Sequence, residues 1–217
     1  MLLEFFILKN RVRKLIRDNF FDEKSKVLDI GCGENPFYHE DIRGKIISFD
    51  LKRTSRTHVI GDAGFVPFKK NTFDSIISMN SFYYFDNPFV SVREISRILK
   101  KNGKIFLMMP FVYPVHDAPH DKYRFTEYGI RELFGKDFEI AEIGTIGGIF
   151  NIPAVVLHSI TKGMKFILPK PLRFLSVIFA VVLWPFYIIC QLFSLLDFFD
   201  RTRRWPTYYY LVAVKKS

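Results

Sequence analysis

At 217 residues the chain has room for one α/β domain with a modest appendage, and it is rich in apolar side chains, 49% hydrophobic and 17% aromatic with 25 Phe. Two cysteines, Cys32 and Cys190, leave no disulfide framework and no zinc site, and fit a reducing compartment. The net charge of +10 invites nucleic acid, yet Lys162, Lys165, Lys170 and Arg173 precede an apolar C-terminal segment and Arg201, Arg203 and Arg204 follow it. That distribution suits an anionic bilayer surface better than a groove tracking phosphates.

Taken in chain order, residues 1–8 are apolar but contain Glu4 and lack a preceding basic region, so a cleaved signal peptide is not expected. Phe5, Leu8, Val12, Leu15, Ile16 and Phe20 recur at helical spacing opposite a basic face. This helix either packs on the domain as a lead-in or lies on a membrane surface, and packing is the favoured reading. Strands are predicted at 26–30, 45–50, 58–60, 73–78, 104–109, 138–143 and 208–214, from short apolar runs alternating with helical patterns. One helix starts with Asn87 as N-cap and Pro88 in its first turn, carries Val92, Ile95 and Leu99 inward and stops near 101–103. Another runs from Thr126 to Gly135, and helices between the first three strands are short.

The first strand runs directly into Gly31-Cys32-Gly33, with Asp29 at the junction and Asp50 closing the next strand. A dinucleotide turn carries a third glycine that packs the following helix beneath a pyrophosphate. Here Pro36 stands at that position and Asp29 puts negative charge beside the phosphates, which argues against NAD. The alternative ligand has no phosphate and carries an amine and a sulfonium. Asp29-x-Gly31-x-Gly33 followed by Asp50 resembles the first two motifs of class I S-adenosylmethionine-dependent methyltransferases. Gly61-Asp62-Ala63, Val66-Pro67-Phe68 and Asn71-Thr72-Phe73-Asp74 are similar to that family's next motifs.

The resemblance implies a seven-stranded Rossmann-like α/β sheet whose last strand is antiparallel and inserts beside the fifth. It implies S-adenosyl-L-methionine as cofactor, with Asp50 accepting from the ribose hydroxyls, Asp62 from the adenine amine, and Asp29 near the methionine end. Gly31, Cys32, Gly33, Leu51, Ala63 and Met79 complete the implied cofactor wall. Where many relatives place Glu-His before the Asx-Pro helix start, this chain has Tyr83-Tyr84-Phe85-Asp86-Asn87-Pro88, which makes that wall aromatic.

The segment after the fifth strand, 110–126, resembles a run in a type 11-like branch of the family and leaves the carboxyl end of a strand, where open α/β sheets place active-site loops. Methyl transfer depends on positioning, and needs a base only if the acceptor loses a proton. His116 and His120 are the candidate bases, with Asp121 or Asp117 orienting the imidazole; Tyr83, Tyr84, Tyr123 and Arg124 are candidate substrate contacts. The competing reading is a polar loop whose side chains cap helix ends. Two histidines without further ligands do not make a metal site.

Residues 174–196 are 23 residues without one charge, about 34 Å as a helix at ~1.5 Å per residue. If strand 208–214 is the last strand of the same sheet, both ends of this insert stay on one side of a membrane. A two-span hairpin using 143–161 as its first crossing would put four cations on the far side, against the positive-inside tendency. A re-entrant pair turning at Trp184-Pro185 is preferred, with a buried helix or dimer contact as the alternative.

The sequence therefore divides into a cofactor-binding core with its N-terminal helix (1–144), a hydrophobic membrane-associated insert (145–206) and a last core strand (207–217). It reads as a methyltransferase at the cytoplasmic face of a membrane, acting on a small or lipid-linked amphiphilic acceptor. The alternatives are a nucleic-acid or protein methyltransferase, which the missing Asn-Pro-Pro-Tyr-like signature after Ser78 disfavours, and a non-catalytic cofactor-binding membrane module.

Overall fold

The computed structural model describes residues 6–19 and 22–217; Phe5 and Phe20 of the expected N-terminal stripe lie outside them. Seven strands form one sheet: β1 (Lys26–Ile30), β2 (Lys45–Asp50), β3 (Val59–Ile60), β4 (Phe73–Met79), β5 (Leu99–Pro110), β6 (Phe138–Ile146) and β7 (Tyr208–Lys215). Their order is β3-β2-β1-β4-β5-β7-β6. The first five pair in parallel, and β7 runs against both β5 and β6. The expected antiparallel last strand beside the fifth is therefore present.

Helices cover both faces, because alternate residues of each strand point to opposite sides and both sides must be dry. Leu28, Ile76, Ile105, Leu107 and Leu211 meet helices α2 (Pro88–Ile98) and α3 (Glu127–Phe134). Val27, Ile77, Phe106 and Val212 meet α1 (Phe6–Asn19) through Leu8, Val12 and Ile16. The N-terminal apolar stripe is thus spent on the core, as the packing reading requires.

Local chemistry sets the helix starts. The Asn87 side chain accepts from Val90 N with Pro88 in the first turn, and the Thr126 side chain accepts from Gly129 N. Helix α2 ends at Ile98 rather than near 101–103, because β5 begins at Leu99 and pairs with Phe73. Between β1 and β2 there is only a 3-10 turn at His39–Asp41. Helix α1 fastens that turn: Asp41 accepts from Arg13 Nε at 2.6 Å and from Arg17 Nη1 at 2.7 Å.

The insert is a helical hairpin, α4 (Ile152–Ile167) against α5 (Phe174–Phe193), followed by a 3-10 segment at Ser194–Phe199. Two expectations are corrected here. Helix α5 continues through Pro185, so the turn is not at Trp184-Pro185; it lies at 168–173, where Pro169 and Pro171 remove backbone donors and Leu168 is extended. Residues 143–146 belong to β6 and not to a first crossing.

Asp41 is buried and holds two guanidinium groups, so Asp41→Ala should free the turn from α1 and cost about 1–2 kcal/mol in urea unfolding. An unchanged midpoint would mean that the clamp contributes nothing.

Candidate functional site

The carboxyl ends of β1, β2 and β4 converge on a cavity of about 490 Å³. Gly31 (φ 76°) and Gly33 (φ 60°) take left-handed backbone conformations at its floor, and they do different jobs. A Cβ on Gly31 would stand 2.2 Å from Ser81 Cβ, because Ser81 Oγ donates to Ile30 O and ties the end of β4 to β1. A Cβ on Gly33 would meet nothing within 4 Å; it would project into open space.

Asp50 accepts from Gly33 N and Lys52 N, both at 2.9 Å, so it holds the turn while keeping lone pairs for further donors. Asp62 accepts from Gly64 N through one oxygen, and its other oxygen has no hydrogen bond to the described residues. The loop bearing Asp62 is anchored from α2, since Arg97 donates to Val66 O and Phe68 O while Glu94 accepts from Val66 N.

Gly31, Cys32, Gly33, Asp50, Leu51, Asp62, Ala63 and Met79 all line this cavity. Asp29 does not. It has no exposure, and its carboxylate faces Tyr38 Oη at 2.9–3.0 Å and His39 Nε2 at 2.6 Å. Burial pushes its pKa up while His39 and Tyr38 pull it down. Asp29 therefore positions the Tyr38 wall instead of touching a ligand. Burial also raises the Cys32 thiol to about 11, with Asp29 adding to the effect, so Cys32 is a neutral wall residue.

Asn80 escaped the sequence reading. It lines the cavity at φ 53°, and its Oδ1 is buried without a hydrogen-bond partner among the described residues. A buried carbonyl oxygen without a donor fits an ammonium group, such as the α-amine of S-adenosylmethionine. Acceptors at Asp50, Asp62 and Asn80 with an open glycine floor fit the cofactor that the sequence motifs imply. The one available signal was an asparagine directly after an apolar strand, a residue type that tolerates positive φ.

On the acceptor side the loop after β5 lies in two layers. His120, Asp117 and Tyr84 reach the cavity, whereas His116, Asp121, Tyr83, Tyr123 and Arg124 do not line it. His116 sits behind Tyr84, with Nε2 at 3.1 Å from Tyr84 Oη and 3.2 Å from Tyr83 Oη. Its Nδ1 lies 3.2 Å from Pro114 O and 3.2 Å from Asp121 Oδ2. Both of those atoms accept only, so Nδ1 carries the hydrogen and Nε2 is left as an acceptor.

Asp121 is fully shielded and paired with both Nη atoms of Arg124, which holds its carboxyl below the usual carboxylate range. Arg124 in turn lies over the Tyr83 ring, 5.3 Å from the centroid. Burial raises the Tyr84 phenol, while a hydrogen bond from Tyr83 opposes that shift. Tyr123 Oη donates to Asp86 O and its ring stacks on Phe125, so it backs Asp86, which lines the cavity. Among the described residues no group of three or more His, Cys, Asp or Glu could hold a metal ion.

Residues 28–107 match a family described as a methyltransferase domain. Over 116 residues the chain is 31% identical to the human mitochondrial arginine-hydroxylase NDUFAF5, a stretch that is 46% of this chain and 34% of that protein. The chain thus spans about a third of that relative's length. In fold it is similar to the [4+2]-cyclase SpnF, with a TM-score of 0.64 at 16% identity over 95% of this chain and 81% of the other. It is also similar to phosphoethanolamine N-methyltransferase 2 of Haemonchus contortus in complex with S-adenosyl-L-methionine, with a TM-score of 0.59 at 17% identity over 95% and 53%.

The two glycines separate folding from binding. Gly31→Ala should unfold the domain or cost more than about 3 kcal/mol, because Ser81 cannot retreat. Gly33→Ala should cost only about 1–2 kcal/mol for its backbone conformation yet weaken S-adenosylhomocysteine binding in calorimetry. Equal effects on melting and binding would remove the distinction.

Proposed function

We propose that this chain, whose residues 28–107 match a methyltransferase-domain family, uses S-adenosylmethionine to move a methyl group onto a small or lipid-linked amphiphilic acceptor at the cytoplasmic face of a membrane. The observation that carries the acceptor class is a shared edge. The donor cavity opens at the carboxyl ends of the parallel strands, and the α4–α5 hairpin leaves β6 and rejoins β7 at that same edge. Within residues 170–199 an apolar window reaches a mean hydropathy of 2.2, and 6% of that window is buried. A core helix of a water-soluble domain is mostly buried, so this one calls for another apolar environment.

Asp50 and Asp62 are the acceptors for the ribose hydroxyls and adenine amine, Asn80 for the amino group, and Gly33 leaves room for the methionine end. When bound, S-adenosylmethionine supplies an electrophilic methyl carbon on a sulfonium. The chain's own part is to orient the acceptor and take its proton. Tyr84 lines the cavity, and its Oη lies 3.1 Å from His116 Nε2, to which it can donate. As Tyr84 receives the acceptor's proton it passes its own to His116, and Asp121 stabilises the imidazolium. Tyr84, not His116, meets the acceptor; His120 reaches the cavity independently.

The test is transfer from labelled cofactor into a membrane lipid extract, followed by mass spectrometry. Label confined to protein or RNA would sink the acceptor class, and a mass gain of oxygen in place of a methylene would sink methyl transfer. Tyr84→Phe should lower kcat about 100-fold with S-adenosylhomocysteine affinity retained, and adding His116→Ala should cost little more, since the two act as one unit.

The Asp121–Arg124 pair has its own pH signature. A carboxyl held below its ordinary pKa of 3.8 stabilises the fold above that pH, and the contribution is lost as pH falls through the lowered value. Asp121→Asn should therefore cost about 2 kcal/mol at neutral pH, with the difference from wild type vanishing in acid unfolding below the ordinary aspartate range.

A further inference from the structure

A second cavity, of about 390 Å³, opens at the foot of the hairpin. Leu8, Leu195 and Phe198 form its apolar side, and Phe198 is 87% exposed, continuing the bare surface of α5. Arg11 and Arg203 line it as well. Among the described residues neither has a carboxylate at ion-pair distance, a state that other surface arginines share, so their common place on one cavity wall is what sets them apart.

Two acids share the cavity, but their oxygens are turned to other donors. Asp197 accepts from Gly148 N and Phe150 N at 2.7 and 2.9 Å, and Asp200 from Ile149 N and from Thr202 N and Oγ1. They fasten the returning end of the hairpin to the end of β6. The arginines are left as the groups without a charge partner.

The backbone adds an independent sign. Among the described residues four non-glycine residues have positive φ, and three are asparagines, which tolerate it; the fourth is Arg203 at 50°. An arginine in this conformation is strained, and strain held at a cavity wall points to use of the side chain placed there.

We propose that this cavity binds the phosphate of an anionic phospholipid between Arg11 and Arg203, with the acyl chains along the exposed face of α5. The proposal rests on the membrane reading above and adds a headgroup class and a seat for it. Two guanidinium groups lining one cavity can each donate to a phosphate oxygen, and the adjoining apolar wall selects a lipid over a soluble phosphate.

The full-length protein would be floated with vesicles of phosphatidylcholine alone and of phosphatidylcholine with phosphatidylglycerol. Generic surface attraction is lost at about fivefold per cation removed, wherever the cation lies. The site predicts that the pair Arg11→Gln and Arg203→Gln loses at least about tenfold more of the preference for anionic vesicles than the control pair Arg201→Gln and Arg204→Gln. Equal losses in the two pairs overturn the site while leaving membrane association intact. No flotation of the wild type with either vesicle overturns the membrane reading beneath it.

Thermal protection by inorganic phosphate that disappears in the Arg11/Arg203 pair, with vesicle preference unchanged, would reassign the cavity to free phosphate and end the lipid proposal. Arg203→Gly adds a readout of opposite sign: melting temperature should rise as strain is relieved, while anionic preference falls. A fall in both would mean that Arg203 serves structure.

Discussion

Strand β7 lies between β5 and β6 and runs against both, so the chain that leaves the carboxyl end of β6 must re-enter the sheet from that same edge. The connection from 147 to 207 is thereby confined to the edge where the donor cavity opens. Its two ends are stitched to one another and to the acceptor loop. Asn151 Nδ2 donates to Thr207 Oγ1 at 2.7 Å, and Phe111 N and Val112 N donate to Thr207 O and Pro206 O. An apolar appendage on a different connection would have no such bearing on the cavity; here its root is bonded to the loop that follows β5.

The hairpin is also the least self-sufficient part of the molecule. Twelve large apolar side chains of α5 are exposed, from Phe174 and Leu175 to Leu192 and Phe193, and of the helix only Gln191 is buried. Removing such side chains from water gains roughly 1 kcal/mol each at half exposure, on the order of 10 kcal/mol together. Few cations interrupt it: Lys170 and Arg173 lie at the turn and Arg201, Arg203 and Arg204 at the foot. Interfacial helices carry a polar face along their length, and α5 has none. Its chemistry matches an environment apolar along the helix and polar at both ends.

The sequence carried the sheet well because parallel strands between helices must be apolar on both faces, a pattern visible at 26–30 and 73–79 without knowing their partners. The glycine turn was legible for a related reason, since positive φ and an open floor demand glycine. Burial order was harder to read. Asp29 reads as a ligand contact from its place in the motif, but Tyr38 and His39, brought back by a turn that α1 holds, take its oxygens first. Titratable side chains crowd the loop 113–124, yet nothing along it shows that Tyr84, from another loop, stands between His116 and the cavity. The hairpin turn was misplaced because one proline inside a charge-free run draws the eye more than two prolines among charges. A helix can lose one hydrogen bond at an interior proline and continue, as α5 does at Pro185, while Pro169 and Pro171 together leave the chain no α-helical path.

A continuous line of aromatic contacts joins the two functional ends. Tyr208 opens β7 beside the hairpin root, its ring 6.1 Å from Tyr113, which lies 5.2 Å from His116. His116 bonds to Tyr84 at the cavity wall. Rings packed in this way have few rotamers open to them, so a shift at the root of the hairpin reaches the proton relay as a displacement and is not absorbed by side-chain motion. An acceptor with an apolar tail would approach along this side, tail in the lipid and head toward Tyr84. On the proposed reading, the same rigid link would make the relay's geometry depend on how the hairpin is seated, coupling anchoring to turnover without any moving part beyond the hairpin itself.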